Sequence, residues 1–256
     1  MRIQVIPTAQ QAQCFDFSGK TAIVIDVLRA TSVITTALDN GAREVIPVCT
    51  VEEAQALFAQ LDTAQTLRGG ERNALKIEGF DLGNSPLEYK KKAVEGKTLI
   101  LTTTNGTNAI NHVKGADEVV LACFRNAAAM ADVIARWHDE AIQESIVLSG
   151  LPRSARNDVV IVCAGTENQF SMDDGLCAGM IIELLKQQTE VELDDLGLLL
   201  NRFYNESKGN LFGALSECYH LKRLFTLGFY DDIKFCLETN CVATVPVLKE
   251  GKIVRK

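Results

Sequence analysis

The feature that most constrains this chain is a hydrophobic period that keeps changing along its first two thirds. Short runs rich in β-branched residues occupy 22–27, 44–48, 98–101, 118–123 and 159–163. Helical patterns follow most of them, at 32–39, 52–61, 108–113, 127–137 and 175–186. In the fourth, Met130, Val133, Ile134 and Trp137 recur at helical spacing, so one face of that helix is buried. Gly41 follows the first helical stretch, where a C-terminal glycine belongs. Near-continuous apolar strands that alternate with helices need cover on both faces, which is the pattern of a parallel sheet. The expectation is an α/β fold: a mostly parallel sheet with helices on both faces and a helical C-terminal portion.

Two stretches break the alternation. Residues 68–88 (RGGERNALKIEGFDLGNSPLE) are rich in glycine, charge and turn formers and read as a long functional or mobile loop. From about Asp194 the pattern is mostly helical, closing with strand-like pieces near Val245 and Ile253. This suggests an α/β core over 1–193 and a mainly helical lobe over 194–256 packed on it, or one continuous domain.

Charge and cysteine usage narrow the partners. The excess of 33 acidic over 26 basic side chains gives a net charge of −7, which offers no general attraction to nucleic acid or an anionic membrane. An anionic ligand would therefore need a local arginine cluster or a bound cation. No apolar run approaches the roughly 20 residues of a membrane span. The start, MRIQVIPTAQQAQ, lacks the profile of a signal peptide. Eight cysteines without a CxxC pair read as reduced thiols, so a cytoplasmic location is expected. Zinc is not expected, since His112, His138 and His220 lie far apart without cysteines at finger spacing. Whether copies of the chain associate stays open.

In open parallel sheets, ligands bind beyond the carboxyl ends of the strands. Here each such end carries polar chemistry. AIVIDV delivers Asp26, then Arg29, Thr31 and Ser32, and TLIL runs into Thr102–Thr104, Asn105, Gly106 and Thr107. VVLACF leads to Arg125 and Asn126, and VVIVCAGTE to Gly165, Thr166 and Glu167, with Asp173 and Asp174 soon after. Asn105–Gly106 reads as a turn of positive φ opening a helix, so amides and hydroxyls would converge on an anion there. An ordinary helix cap would use the same residues. A carboxylate such as Asp26 at the end of a buried strand is costly unless it meets a cation or a donor array. Arg29 is either its ion-pair partner or a fork for a substrate oxyanion. Asp174 is either a helix cap or, with Asp26 and Glu71, one of the hard oxygen ligands that Mg²⁺ prefers. Spacing excludes several standard sites. A cysteine phosphatase loop would need arginine where Ala129 and Gln169 stand, and a DxDxT motif would need an acid at Leu28. No GxxxxGK[ST], GxGxxG or GxSxG motif is present.

The motifs DVLRATS (26–32), GGER (69–72), GFDLGNSP (79–86), TTNGT (103–107), CAGTE (163–167) and SMDDGLCAG (171–179) together resemble the 2-phosphosulfolactate phosphatase (ComB) family. The tail, with His220, GFYDDIKFC and the closing VP, is similar too, so the resemblance covers nearly the whole chain. It implies a Mg²⁺-dependent hydrolase acting on 2-phospho-3-sulfolactate, a step of coenzyme M biosynthesis, on an α/β fold unlike the familiar phosphatases. The mechanism expected for such a reaction here would put Mg²⁺ on Asp26 and Asp174, with Glu71 as a further candidate ligand, and the phosphoryl group on Arg29, Thr31 and the turn of Asn105, Gly106 and Thr107. Ser32, Asn84, Ser85, Thr104, Asn126 and Gly165 would add substrate contacts, and Arg125 or Arg72 would grip the sulfonate or carboxylate. The nucleophile is a water activated by the ion or the Asp26 carboxylate, with Cys163 a third choice. Two other readings stand beside it: a non-catalytic binder of a small phosphorylated or sulfonated acid, and a phosphatase for another phosphorylated hydroxy acid.

Overall fold

The apolar runs form strands because both faces of each are covered. In the computed structural model, which describes residues 1–149 and 158–256, eleven strands build one sheet. They are β1 (Arg2–Ile6), β2 (Thr21–Ile25), β3 (Glu44–Pro47), β4 (Thr66–Arg72), β5 (Leu75–Lys76), β6 (Thr98–Thr102), β7 (Glu118–Ala122), β8 (Val159–Cys163), β9 (Glu192–Leu193), β10 (Pro246–Lys249) and β11 (Lys252–Arg255). Their order is β5-β4-β6-β3-β11-β10-β7-β2-β8-β1-β9.

Among the described residues eleven α-helices accompany the strands: α1 (Ala9–Ala12), α2 (Ala30–Asp39), α3 (Val51–Gln60), α4 (Lys91–Val94), α5 (Gly106–His112), α6 (Ala127–Ser149), α7 (Met172–Lys186), α8 (Asp195–Ser207), α9 (Leu211–Leu215), α10 (Tyr219–Thr226) and α11 (Tyr230–Cys236). Successive residues of β2 show how the layers form. Ala22 and Val24 join one apolar cluster with Val33, Ile34 and Leu38 of α2 and Ile110 of α5. Ile23 and Ile25 join the other, with Met130 and Ile134 of α6 and Leu176 and Ile181 of α7. Each such aliphatic side chain gains about 1.5–3 kcal/mol on burial. The α/β fold with a mostly parallel sheet and C-terminal helices is as the sequence indicates.

Two groups of parallel strands flank an antiparallel hairpin. On one side β4, β6 and β3 pair in parallel, and on the other β7, β2, β8, β1 and β9 do. The hairpin of β10 and β11 joins them through single register pairs, Val247↔Val120 and Ile253↔Val45. The strand-like pieces near Val245 and Ile253 thus lie within the sheet.

Residues 68–88 depart from the expected loop. Their first part belongs to β4, which pairs in parallel with β6 up to Gly70↔Thr102. A Cβ at Gly70, whose φ is +149°, would stand 2.1 Å from the Thr102 carbonyl oxygen, so glycine is required for this pairing. Asn73 and Ala74, at φ 56° and 67°, then turn the chain tightly into β5. The Tyr89 hydroxyl donates to the Gly83 carbonyl at 2.7 Å, tying the remainder down. The segment is hydrogen-bonded structure, and its glycines and charges hid a strand. β1 also went unread, although RIQVI alternates and pairs with β8 and β9. No helix among the described residues is long and apolar enough to cross a membrane.

The hairpin's junctions give a direct test. Ile253 is fully buried at the β3 contact, so Ile253→Ala should lower unfolding free energy by about 2–5 kcal/mol in urea titration. A loss under about 1 kcal/mol would show that the hairpin does not hold the two strand groups together.

Candidate active site

Strand ends from both parallel groups converge on a cavity of about 100 Å³ lined by Asp26, Leu28, Arg29, Glu71, Asn73, Ala74, Asn84, Thr103, Thr104, Asn105, Glu167 and Arg223. Of the residues singled out in the sequence, Asp26, Arg29, Glu71, Asn84, Thr104 and Asn105 are brought together there.

Asp26 follows β2 and is 7% exposed. Its Oδ1 accepts the Ala30 amide at 3.1 Å. A Cβ on Gly106 would lie 2.6 Å from Asp26 Oδ2 and 2.5 Å from the Ala30 Cβ. Only a glycine lets the start of α5 close this side of the carboxylate. Gly106 does not adopt the positive φ expected of an Asn-Gly turn, and Asn105 has φ −115° with no side-chain cap. What the dipeptide supplies is closeness. Burial pushes the Asp26 carboxyl up to about 6; the His220 charge and the Ala30 amide oppose this, while Asp173 and Glu71 add to it.

Glu71, at the end of β4, is held from three directions. Its Oε1 accepts the Thr104 amide at 2.7 Å and hydroxyl at 2.8 Å, and its Oε2 accepts the Ala74 amide at 2.8 Å. Asn84 Oδ1 is buried with no donor among the described residues, and Asn84 lines the same cavity. Arg29 does not pair with Asp26. Its guanidinium donates to Asp232 at 2.6 Å and to the Ala74 carbonyl at 2.7 Å, and lies 4.0 Å over the Phe229 ring. Asp232 also accepts the Ser85 hydroxyl at 2.6 Å. Ser85 and Arg29 thereby clamp α11 beside the cavity.

The other predicted residues lie outside the lining. The Thr31 hydroxyl donates to the Asp26 carbonyl at 2.8 Å, and the Ser32 hydroxyl to the Val27 carbonyl at 2.8 Å. Thr107 closes its own turn, its hydroxyl accepting the Thr103 amide at 3.2 Å. Arg72 donates to the carbonyls of Glu71 and Cys49 and to the Thr102 hydroxyl. Arg125 pairs with Glu238, donates to the Phe235 carbonyl at 3.0 Å and stacks on the Phe235 ring, while Asn126 donates to the Leu121 and Thr244 carbonyls. Neither Arg125 nor Arg72 is placed to grip a ligand in this cavity. Asp174 accepts the Val27 amide at 2.9 Å and the Gly165 amide at 3.0 Å, which spends one lone pair on each oxygen. Burial beside Asp173 and Asp26 pushes its carboxyl well up. Cys163 is fully buried outside the cavity lining, and desolvation pushes its thiol well above the usual range, which disfavours a thiolate there.

Glu167 and Arg223 line this cavity and His220 stands beside Asp173, and none of the three is among the site residues the sequence suggests. Arg223 of α10 donates to Glu167 at 2.6 Å. His220 Nδ1 lies 3.6 Å from Asp173 Oδ2, an ion-pair distance too long for a hydrogen bond. Burial disfavours the charged imidazole, but Asp173 and Asp26 outweigh it and raise His220; reciprocally, His220 holds Asp173 low against its own burial. His220 also lines a second cavity of about 410 Å³ that shares Glu167 with the first. These three residues come from a tail and a turn whose approach to β2 no local pattern records.

No three histidine, cysteine or carboxylate side chains gather into a ready-made ion cage among the described residues. The donors still suit a hard cation. Asp26, Glu71 and the unpartnered Asn84 oxygen face one cavity, and Mg²⁺ commonly takes one or two carboxylates, with waters and phosphate completing its shell.

Fold and cavity together define an α/β protein with a polar, carboxylate- and guanidinium-lined pocket at its strand ends. The chain belongs to the 2-phosphosulpholactate phosphatase family, whose model matches residues 6–251. A protein of Caldanaerobacter subterraneus subsp. tengcongensis named probable 2-phosphosulfolactate phosphatase is 48% identical over 255 residues, covering 100% of this chain and 98% of its own. Proteins of the same name from Clostridium perfringens strain SM101 and Clostridium tetani are 42% and 40% identical, over 99% of this chain and 96% and 100% of theirs.

The buried Asp26 makes a stability prediction. In the unfolded chain its proton leaves near 3.8, in the fold near 6. Folding therefore loses stability as pH rises between these values, and above 6 the cost is about 3 kcal/mol. In metal-free protein, Asp26→Asn should raise the urea unfolding free energy at pH 7.5 by up to that amount, with no gain near pH 3.5. An equal effect at both pH values would contradict the buried-charge account.

Proposed function

We propose that the chain hydrolyses the phosphate monoester of 2-phospho-3-sulfolactate to 3-sulfolactate and phosphate, with Mg²⁺ as cofactor. Support comes from the family and its named relatives. The single observation that carries the reading is Asp26: a buried carboxylate whose Oδ2 has no donor among the described residues, in a cavity it shares with Glu71 and the unpartnered oxygen of Asn84. A fold that keeps a carboxylate so costly does so where charge is used.

Asp26 and Glu71 would hold the ion, with Asn84 beside them. When bound, Mg²⁺ supplies neutralisation of charge on the phosphoryl oxygens. Glu71 is fixed by the Thr104 and Ala74 amides, so its charge is aimed before substrate arrives. Leu28, Arg29 and Asn105 line the cavity and their backbone amides donate to no acceptor among the described residues, which leaves these amides as candidate donors to phosphoryl oxygens. Asp26 in its ionised form either attacks phosphorus as the ester P–O bond breaks, giving an acyl phosphate that water then hydrolyses to phosphate and free carboxylate, or takes the proton of a water that attacks phosphorus as the same bond breaks. In both routes the departing 3-sulfolactate oxygen takes its proton from water. Asp173 and Asp26 raise His220, and a protonated His220 favours the ionised form of Asp26. Asp174 aligns the backbone after β2 and β8 through its two amide contacts.

Phosphate release from 2-phospho-3-sulfolactate, followed colorimetrically, should require added Mg²⁺ and stop with EDTA. Asp26→Asn should lower kcat/KM by at least about a hundredfold while circular dichroism stays native. Turnover unaffected by EDTA would remove the ion from the scheme, and full activity in the variant would remove Asp26.

A further inference from the structure

We infer that Arg223 is the specificity-determining residue that receives the second anionic group of the substrate, its sulfonate, and that Glu167 is the counter-ion holding this guanidinium in place until the sulfonate arrives. The inference rests on the phosphomonoesterase reading above and adds the residue that would distinguish a sulfonated from an unsulfonated substrate.

Two guanidinium groups line the cavity. Arg29 is only 2% exposed, is neutralised by buried Asp232, gives its second nitrogen to the Ala74 carbonyl and has one face covered by Phe229. It is a fixed wall. Arg223 is different: it is 27% exposed, meets Glu167 through one nitrogen, and its Nε and Nη2 bond to nothing among the described residues. A planar fork with free donors on one side suits a sulfonate or carboxylate oxygen pair. The residues expected from the sequence to do this, Arg125 and Arg72, are committed elsewhere, and no lysine lines the cavity.

Glu167 is placed with unusual care for an exposed side chain. It and Asn168, at φ 52° and 61°, form a two-residue turn closed by the Thr166 amide to the Gln169 carbonyl and the reverse bond, each 2.9 Å. Positive φ at two successive non-glycine residues costs free energy and persists where position matters. The turn presents the Glu167 carboxylate to Arg223 at 2.6 Å and to the Tyr219 hydroxyl, which donates to it at 3.4 Å. With Asp26 and Glu71 also lining the cavity, a second positive group beside the proposed ion, one with donors left free by its own ion pair, favours a substrate that carries a further anionic group.

The test compares 2-phospho-3-sulfolactate with 2-phospholactate, which lacks the sulfonate, in the Mg²⁺-supplemented full chain. Arg223→Gln should reduce kcat/KM on the sulfonated compound by about 30- to 100-fold and on phospholactate by less than about threefold, with Arg223→Lys recovering part of the difference. Equal losses on both compounds, or none, overturn the assignment. Calorimetric titration with 3-sulfolactate and with lactate tests it independently of turnover. Wild type should bind the first and not the second, Arg223→Gln should lose that binding, and Glu167→Gln should tighten it about two- to fivefold. If wild type binds 3-sulfolactate through Arg223 but releases phosphate from neither ester, the hydrolase reading fails and this one stands. If it binds sulfolactate and lactate alike, or if Glu167→Gln weakens binding, the inference is overturned.

Discussion

A carboxylate held out of water at the end of a central strand is the constraint on which the rest of this structure depends. Asp26 continues β2, whose residues are buried on both faces, and among the described residues the Ala30 amide is the one donor its carboxylate meets. The bare Cα of Gly106 closes against it, and β4 delivers Glu71 to the same space because Gly70 permits close pairing with Thr102. Each approach raises the electrostatic cost of Asp26 ionisation. The His220 charge and the Ala30 amide oppose that cost in part, and in the functional reading the cation does so further.

The tail completes this arrangement. α11 anchors to Arg29 through Asp232, α10 contributes His220 and Arg223, and the final hairpin joins the two groups of parallel strands. Residues 203 positions apart, Arg29 and Asp232, form the ion pair that secures one wall of the cavity. Substitutions in the last quarter of the chain should therefore be felt at the strand ends.

How much was legible in the sequence follows from how local each signal is. The runs that became β2, β6, β7 and β8 announced themselves through unbroken β-branched and aliphatic residues, and Asp26 stood out as a charge at the end of one. β4 did not, because TLRGGER pairs through glycines and carries charge at its end, a pattern that reads as a turn. The TTNGT motif was recognised, but its physical use was not: most of its hydroxyls lock the turn or hold Glu71, and its glycine permits contact with Asp26. Arginine identity was the weakest guide. Arg125 and Arg72 look as free as Arg223 in one dimension, and only the partners that packing assigns them separate a structural cation from an available one.

Asp26 is a buried, costly carboxylate whose charge the proposed ion would relieve. A carboxyl ¹³C NMR titration, assigned by difference from Asp26→Asn, measures this directly. Metal-free protein should show Asp26 titrating near 6, and saturating Mg²⁺ should move the midpoint down by about one pH unit or more. A midpoint near 4 that Mg²⁺ leaves in place would contradict it.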